Sequence, residues 1–472
     1  AAWAAGLTGT GVGVAVLDTG VDATHPDLTA AITASANFTS DPDLSDLVGH
    51  GTHVASTIVG SGTASGSGTA SGGGTASGGG YRGVAPDARL LVGKVCTIWG
   101  CLASDVIAGM EWAAAQQHAK VVNLSLGDVD TPGDDPVEAA LTRLTAEFGT
   151  LFVVAVGNEG ADGTIGSPAD VDAALAVAAT DRAGQVAEFS SRGPRAGDAG
   201  LKPDLAAPGV DITAARSSTG YLGEPGQSYT TMSGTSMAAP HVAGVAVLLA
   251  QQHPDWSPAR LKAALMASAR PVAGVDAYAQ GAGMVNAAAA IGQTLTAQPA
   301  SVSFGRAGWP HDDDQTITRT VTFGNDGTAP LPLALGLTTT GPGAGATPAG
   351  MFTLSAPSLT VPAGGTASVT ITADPRLGAA DGHATGYLTA TAADGGTRAG
   401  VPFALDREPE SYDVRFTHTA ADGSVPTDYQ TTLVDLDGDG FSFVSVPVTA
   451  DGAVTMRLPA HRYLVVNTTI TD

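Results

Sequence analysis

The chain has 472 residues and a formal net charge of −24, with 43% hydrophobic, 14% charged and only 5% aromatic residues. That length holds two or three domains whose cores must rely on Ala, Val, Leu and Ile. The acidity excludes a nucleic-acid groove, which needs cations to neutralise phosphate, and argues against an anionic membrane surface; no apolar run reaches the ~18–20 residues that span a bilayer.

Ala1 is not preceded by a charged, apolar leader, so a signal peptide is expected to have been removed or omitted. Residues 12–17, 90–95, 121–124, 151–156 and 175–179 are short apolar runs and read as strands. Residues 104–117, 136–147, 236–253 and 258–268 carry helical patterns between and after them. Strands apolar on both faces, alternating with helices, predict an α/β unit over 1–295 with a mostly parallel sheet flanked by helices. Ser104 before Asp105 reads as a helix N-cap, and Ser257 before Pro258 as another. Residues 61–80 repeat Gly-Thr-Ala-Ser-Gly units and predict a flexible surface loop. Cys96 and Cys101 are the two cysteines. They could close a small disulfide loop in an oxidising compartment or stay as thiols in the cytosol, and they are too few for a four-ligand zinc site.

After Ile291 the composition shifts to Thr, Ala, Pro and Gly. Short alternating runs at 317–323, 331–337, 359–361, 368–372, 386–392 and 400–404 predict an all-β sandwich over 296–408, which resembles fibronectin-type-III-like modules. A third unit over 409–472 reads as strands at 412–416, 430–435, 441–448 and 463–466. It resembles β-sandwich modules of carboxypeptidase-regulatory-like topology, cut short of its last strands. Asp435-Leu436-Asp437-Gly438-Asp439-Gly440 has the acidic spacing of half an EF-hand loop. Position 12 of such a loop falls on Val446 instead of a bidentate Glu, so a tight turn is preferred to a calcium turn.

Four segments carry chemistry. Asp18 closes an apolar run in Leu17-Asp18-Thr19-Gly20, and His50 opens His50-Gly51-Thr52-His53-Val54-Ala55. Asn158 lies in Val156-Gly157-Asn158-Glu159-Gly160, and Ser236 in Gly234-Thr235-Ser236-Met237-Ala238-Ala239-Pro240-His241. A hydroxyl nucleophile needs a base to take its proton and an acid to orient that base. The four segments, in this order, resemble the subtilisin-like serine peptidases (subtilases), and the likeness runs from Trp3 to Ile291. It implies a subtilisin-like fold, with Ser236 as nucleophile, His50 as general base and acid, Asp18 as orienting carboxylate and Asn158 as oxyanion donor. It also implies that Ser125-Leu126-Gly127 and Ala155-Val156-Gly157 are two edges that bind a peptide substrate as an added strand. A secreted enzyme with a cleaved N-terminal prodomain, a Cys96–Cys101 disulfide and a broad preference favouring apolar side chains follows from the same resemblance. No organic cofactor is required. Calcium is left open, because the family's commonest site draws on a loop that is Gly, Ser, Thr and Ala here.

Other residues have plainer readings. His53 shares a helix face with His50, but no Glu lies between them as in a zinc peptidase, so His53 is expected to be structural, as is His241. Asp46 and Asp204 lie in family motifs without a proton-transfer role. Ile98 and Trp99 either wall an outer apolar pocket or pack in a core. Glu159 is placed near the pocket floor, where it would favour basic side chains. An acid peptidase of the sedolisin type is rejected by His50 and Asn158, since that family has Glu and Asp in those roles. The remaining alternative is a non-catalytic scaffold whose β modules bind a surface or protein ligand.

Overall fold

In the computed structural model, residues 2–65, 80–130, 135–378, 380–393, 395–420, 422–426, 429–437 and 442–469 are described. The first apolar runs become the centre of a seven-stranded sheet. It contains β1 (Gly13–Asp18), β2 (Ile32–Asn37), β3 (Arg89–Lys94) and, after a hairpin of β4 (Cys96–Thr97) and β5 (Gly100–Cys101), β6 (Val121–Leu124). β7 (Leu151–Ala155), β8 (Leu175–Thr180) and β9 (Leu205–Pro208) complete it in the order β2-β3-β1-β6-β7-β8-β9. Every neighbouring pair in it is parallel.

Parallel strands need crossovers, and helices supply them on both faces. Strand residues alternate between two cores. Val14 and Val16 join the cluster that contains α1 (His50–Val59), α4 (Thr235–Gln252) and α5 (Pro258–Ala267). Ala15 and Leu17 face the cluster built on α2 (Ala103–Glu111) and α3 (Pro136–Phe148). α4 is largely apolar on every face and lies buried against α1 and five of the strands, as a helix with little polar face must.

Two capping expectations have different outcomes. Ser257 Oγ accepts from Arg260 N and caps α5, with Pro258 in the first turn. Ser104 is not a cap: α2 begins one residue earlier, its N-cap is Leu102 with no side-chain bond, and Ser104 Oγ donates to Asp105 Oδ1. A serine one residue inside a helix faces its own neighbour instead of the exposed N–H groups. α2 then widens into a π-helical turn over Trp112–Gln116, with Trp112 buried edge-on to Phe38. Residues 66–79, most of the repetitive segment, lie outside the described residues.

From Leu295 to Arg407 the described strands form a four-stranded and a five-stranded sheet around a single apolar core. Ala267 of α5 belongs to that core. Tyr387 Oη donates to Gly281 O, Ala277 N donates to Thr385 Oγ1, and Tyr278 meets His383 edge-on. These β strands therefore pack directly on the back of the parallel-sheet unit. From Ser411 to Thr469, a two-stranded and a three-stranded sheet enclose a smaller core around Leu433, Val446 and Leu458.

Candidate active site

β1 ends at Asp18, at the carboxyl edge of the sheet, where parallel α/β sheets place their sites. Asp18 Oδ1 accepts from Thr19 N at 2.7 Å, from Thr19 Oγ1 at 3.1 Å and from His50 Nδ1 at 2.8 Å. His50 is the first residue of α1, and Gly51 is what lets that helix start against β1. A Cβ at Gly51 would stand 2.2 Å from Gly20 O and 3.1 Å from Asp18 Oδ1. Burial opposes the charged imidazole of His50. The Asp18 carboxylate, its hydrogen bond and the charge of Asp46 outweigh that, and the net pKa is raised above the ordinary 6.5. With Nδ1 held by Asp18, Nε2 is the nitrogen left to exchange protons.

Ser236 is the second residue of α4, so its N–H has no intrahelical acceptor and the helix dipole favours negative charge there. Its Oγ donates to Ser125 O at 3.2 Å, and Ser125 Oγ donates back to Ser236 O at 2.8 Å. Asn123 Nδ2 donates to Ser125 Oγ at 2.9 Å and fixes that serine in turn. In this state the Ser236 hydroxyl is bonded to Ser125 and not to His50. Catalytic hydrogen bonds are commonly long or absent without substrate and form only in its presence.

Asn158 follows β7. Its Oδ1 accepts from Thr235 N at 2.9 Å and Thr235 Oγ1 at 3.1 Å, which commits the amide oxygen and leaves the NH2 group to donate. Asn158 and Ser236 line one cavity of about 380 Å³ together with Ser125, Leu126, Gly127, Ala155, Gly157 and Glu159. The Val156 side chain is fully buried in the sheet core, because alternation along the chain turns it away from its neighbours, so the edge expected at 155–157 would offer the backbone of Val156 to a substrate. Glu159 Oε2 accepts from Ser191 Oγ at 2.6 Å.

A second cavity of about 740 Å³ shares Leu126, Gly127 and Asp128 with the first and is walled by Trp99, Leu102, Val106 and Val137. Trp99 is 91% exposed at the tip of the β4–β5 hairpin, so the core-packing alternative does not hold. A disulfide joins Cys96 and Cys101 across that hairpin. His53 is buried, with Nε2 on Ile212 O at 2.9 Å, and burial pushes its pKa down to about 4. His241 Nδ1 is on Met237 O at 2.8 Å. Asp204 is buried between Lys202 at 2.9 Å and Lys262 at 2.8 Å, an ion cluster remote from Ser236 in both chain and cavity.

Among the described residues, Asp130, Glu138 and Asp170 are the group whose carboxylate oxygens lie within 4.8 Å of one another. Burial, with the neighbouring carboxylates, pushes the Glu138 pKa up to about 7. A hard cation or a shared proton would each relieve that repulsion. In the EF-like stretch Asp437 is taken by Arg462 and Asp435 by His461 at 2.8 Å, and residues 438–441 lie outside the described residues. The turn expected between Asp437 and residue 442 therefore falls outside the described residues.

Residues 9–321 match the model of the subtilase family. The chain belongs to the subtilase family. This subtilase is 40% identical over 287 residues to M-protease of Shouchella clausii (strain KSM-K16), an alignment that covers 60% of this chain and 65% of that one. Subtilisin Savinase of Lederbergia lenta is also 40% identical over 287 residues, with 60% and 92% covered. Serine protease AprX of Bacillus subtilis (strain 168) is 37% identical over 306 residues, with 60% and 66% covered. The chain thus spans under two thirds of M-protease but nearly all of Savinase. A crystal structure of a cold adapted subtilisin-like serine proteinase aligns with a TM-score of 0.46 at 32% identity, over 59% of this chain and 88% of that one.

The four motifs identify Asp18, His50, Asn158 and Ser236, but not the groups that orient them. Thr19, Ser125 Oγ and Thr235 do so by hydrogen bonds. Thr19 and Thr235 are adjacent in sequence to residues already singled out, and that adjacency is the signal that could have found them.

Proposed function

We propose that this subtilase is a secreted serine endopeptidase that hydrolyses peptide bonds through an acyl-enzyme, with Asp18, His50 and Ser236 as its triad. The observation that carries the reading is the 2.8 Å Asp18–His50 pair at the carboxyl edge of the sheet, together with Ser236 and Asn158 lining one cavity. His50 Nε2 takes the Ser236 proton as Oγ attacks the scissile carbonyl. Asp18 holds Nδ1–H and stabilises the imidazolium. The oxyanion is bound by the Ser236 N–H and the Asn158 amide. His50 then protonates the leaving amine, and water repeats the sequence to release the acid. The substrate is a protein or peptide held in extended form along residues 125–127. Leu126 and Ala155 make the first cavity favour apolar side chains. The Cys96–Cys101 disulfide supports the secreted location. No helix among the described residues is long and apolar enough to cross a membrane.

Three units are proposed: a peptidase unit over 1–295, a fibronectin-III-like sandwich over 296–408 and a second β module over 409–472. A cleaved prodomain is part of the same reading. No step needs an organic cofactor. A structural calcium, where one is taken, would be held by Asp130, Glu138 and Asp170, and a thermal melt with and without a chelator reads it directly.

The test is fluorophosphonate labelling of Ser236 alongside hydrolysis of a chromogenic peptide. The bond from Ser236 Oγ to Ser125 O gives a non-catalytic scaffold its one structural argument. Folded protein that neither labels nor hydrolyses would overturn the peptidase reading in favour of the non-catalytic scaffold. Replacing Asn158 with Leu should lower kcat about 100–1000-fold with little change in KM, the range known for the oxyanion asparagine of subtilisin itself and carried over to Asn158 by family membership. Glu159→Gln should reduce the ratio of Arg to Phe substrate turnover roughly fivefold, the effect of removing about 1 kcal/mol of charge attraction in a solvated cavity. An unchanged ratio would remove Glu159 from specificity.

A further inference from the structure

The His50 helix is not capped by its own N-cap residue. Gly49 has φ 100° and no side chain to offer, so the exposed N–H groups of α1 must be satisfied from elsewhere. Asp46 satisfies them from three residues upstream. Its Oδ1 accepts from Gly49 N at 2.8 Å, and its Oδ2 from Thr52 N at 2.8 Å and Thr52 Oγ1 at 2.6 Å. Asp46 has 0% exposure, so the carboxylate is tolerated only because these donors replace water.

A fourth donor reaches toward the chemistry. Thr19 Oγ1 lies 2.8 Å from Asp46 Oδ1 and 3.1 Å from Asp18 Oδ1, and it accepts from Gly51 N at 3.0 Å. One hydroxyl thus touches the Asp18 carboxylate, the first turn of α1 and Asp46. The Asp46 backbone is pinned as well: Asp46 O accepts from Ser217 Oγ at 2.8 Å and Thr219 Oγ1 at 3.2 Å. Tyr221 N to Leu47 O at 3.1 Å and Leu222 N to Val48 O at 3.0 Å pair the chain that leads into His50 with the same loop.

We propose that Asp46 is a positioning residue for the peptidase reaction: acting through Thr19 and the first turn of α1, it sets the Asp18–His50 pair in register and adds a second buried negative charge behind the imidazole. The proposal rests on the serine-peptidase reading above. The groups facing His50 are few. Asp18 comes from β1 and Asp46 from the approach to α1. His53 on α1 also interacts with His50, and burial pushes its pKa down to about 4; His241 on α4 interacts with His53 and is likewise held below the ordinary imidazole value by burial. Asp46 also raises the affinity of His50 for its proton. A pure cap would stabilise the helix without that electrostatic reach.

The discriminating variant is Asp46→Asn, which keeps the shape and removes the charge. It should lower kcat about tenfold with KM nearly unchanged, and move the acid limb of kcat/KM down by about half a pH unit, because the proton on His50 loses one of its two anionic supports. An acid limb at the wild-type pH in folded, active Asp46→Asn protein would reduce Asp46 to a cap and overturn the proposal. Should Asp46→Asn fail to fold, Thr19→Val and Thr19→Ser decide. Val removes the bridging hydroxyl and should cost about tenfold in kcat, and Ser should restore it. Equal kcat for the Val and Ser variants overturns the proposal too. Fluorophosphonate labelling of the wild type separates the two levels: a wild type that neither labels nor hydrolyses sinks the peptidase reading, whereas a normal wild type with indifferent variants sinks only the role of Asp46.

Discussion

Ser236→Ala should lower kcat by about 10⁴–10⁶-fold while leaving KM within a few-fold of wild type. The range is that of subtilisin-type triads themselves. What this structure adds is the reason the variant should stay folded. The Ser236 hydroxyl makes one side-chain bond, to Ser125 O at 3.2 Å, and Ser125 keeps its own bonds to Ser236 O and Asn123 when the hydroxyl is gone. Losing one such bond costs about 1 kcal/mol or less, so a thermal melt should be nearly unchanged. Asn158 and the Ser236 N–H survive the substitution, so a rate of about 10³–10⁴ over water should persist. Hydrolysis of a chromogenic peptide, with mass spectrometry for the fluorophosphonate adduct, measures both. A variant that retains more than a hundredth of wild-type kcat would mean another nucleophile and would overturn the triad assignment.

The motifs that hold the reacting groups are legible in the sequence because each is local. A strand end, a glycine-rich helix start and a small-residue turn can each be read from a few adjacent residues. β6 is bounded at 121–124 because Val121, Val122 and Leu124 make a short apolar run between the polar Lys120 and Ser125. β2 escapes a sequence reading for the opposite reason. Ile-Thr-Ala-Ser-Ala-Asn is half-exposed at the sheet edge and carries no apolar run. β9 hides in a Pro-rich motif, Leu205–Pro208, where proline is tolerated only because the strand ends there.

Long-range contacts leave no signal at all. Nothing near Tyr387 announces that its hydroxyl reaches Gly281, or that Thr385 receives Ala277 N, and so the packing of the first β region against the parallel-sheet unit cannot be read from the sequence. Trp99 shows the same limit in reverse: apolar and near a cysteine, it reads equally well as core, and only the cross-linked hairpin geometry exposes it.

Asp18→Asn should lower kcat/KM by about 10⁴-fold at neutral pH, the loss seen when the same change is made in a Ser-His-Asp triad. Two effects combine, and their signs can be worked out here. In the wild type the His50 pKa is raised above 6.5, so the neutral base would be depleted as pH falls through the raised value, and the acid limb of activity should lie there. The Asn side chain has no charge, so burial then dominates and pulls the imidazole pKa down. The acid limb should therefore move to lower pH, which by itself would increase the fraction of competent base near neutrality. The rate nevertheless falls. An amide facing Nδ1 can donate to it, which places the imidazole proton on Nε2, the atom that must accept from Ser236. It also withdraws the carboxylate that stabilises the imidazolium in the transition state. A large loss of kcat with an acid limb shifted downward is thus the joint signature of a carboxylate that both charges and orients its histidine. Asn is close to isosteric with Asp, but its NH2 group takes either the Oδ1 position, where the Thr19 N–H also points, or the Oδ2 position, which is buried without a partner, so a stability loss of about 1–3 kcal/mol is expected and a thermal melt should accompany the kinetics. A pH–rate profile of Asp18→Asn against wild type measures both parts. A loss of rate with the limb unmoved would leave Asp18 an orienting role without the electrostatic one, and an unchanged rate would remove it from the triad.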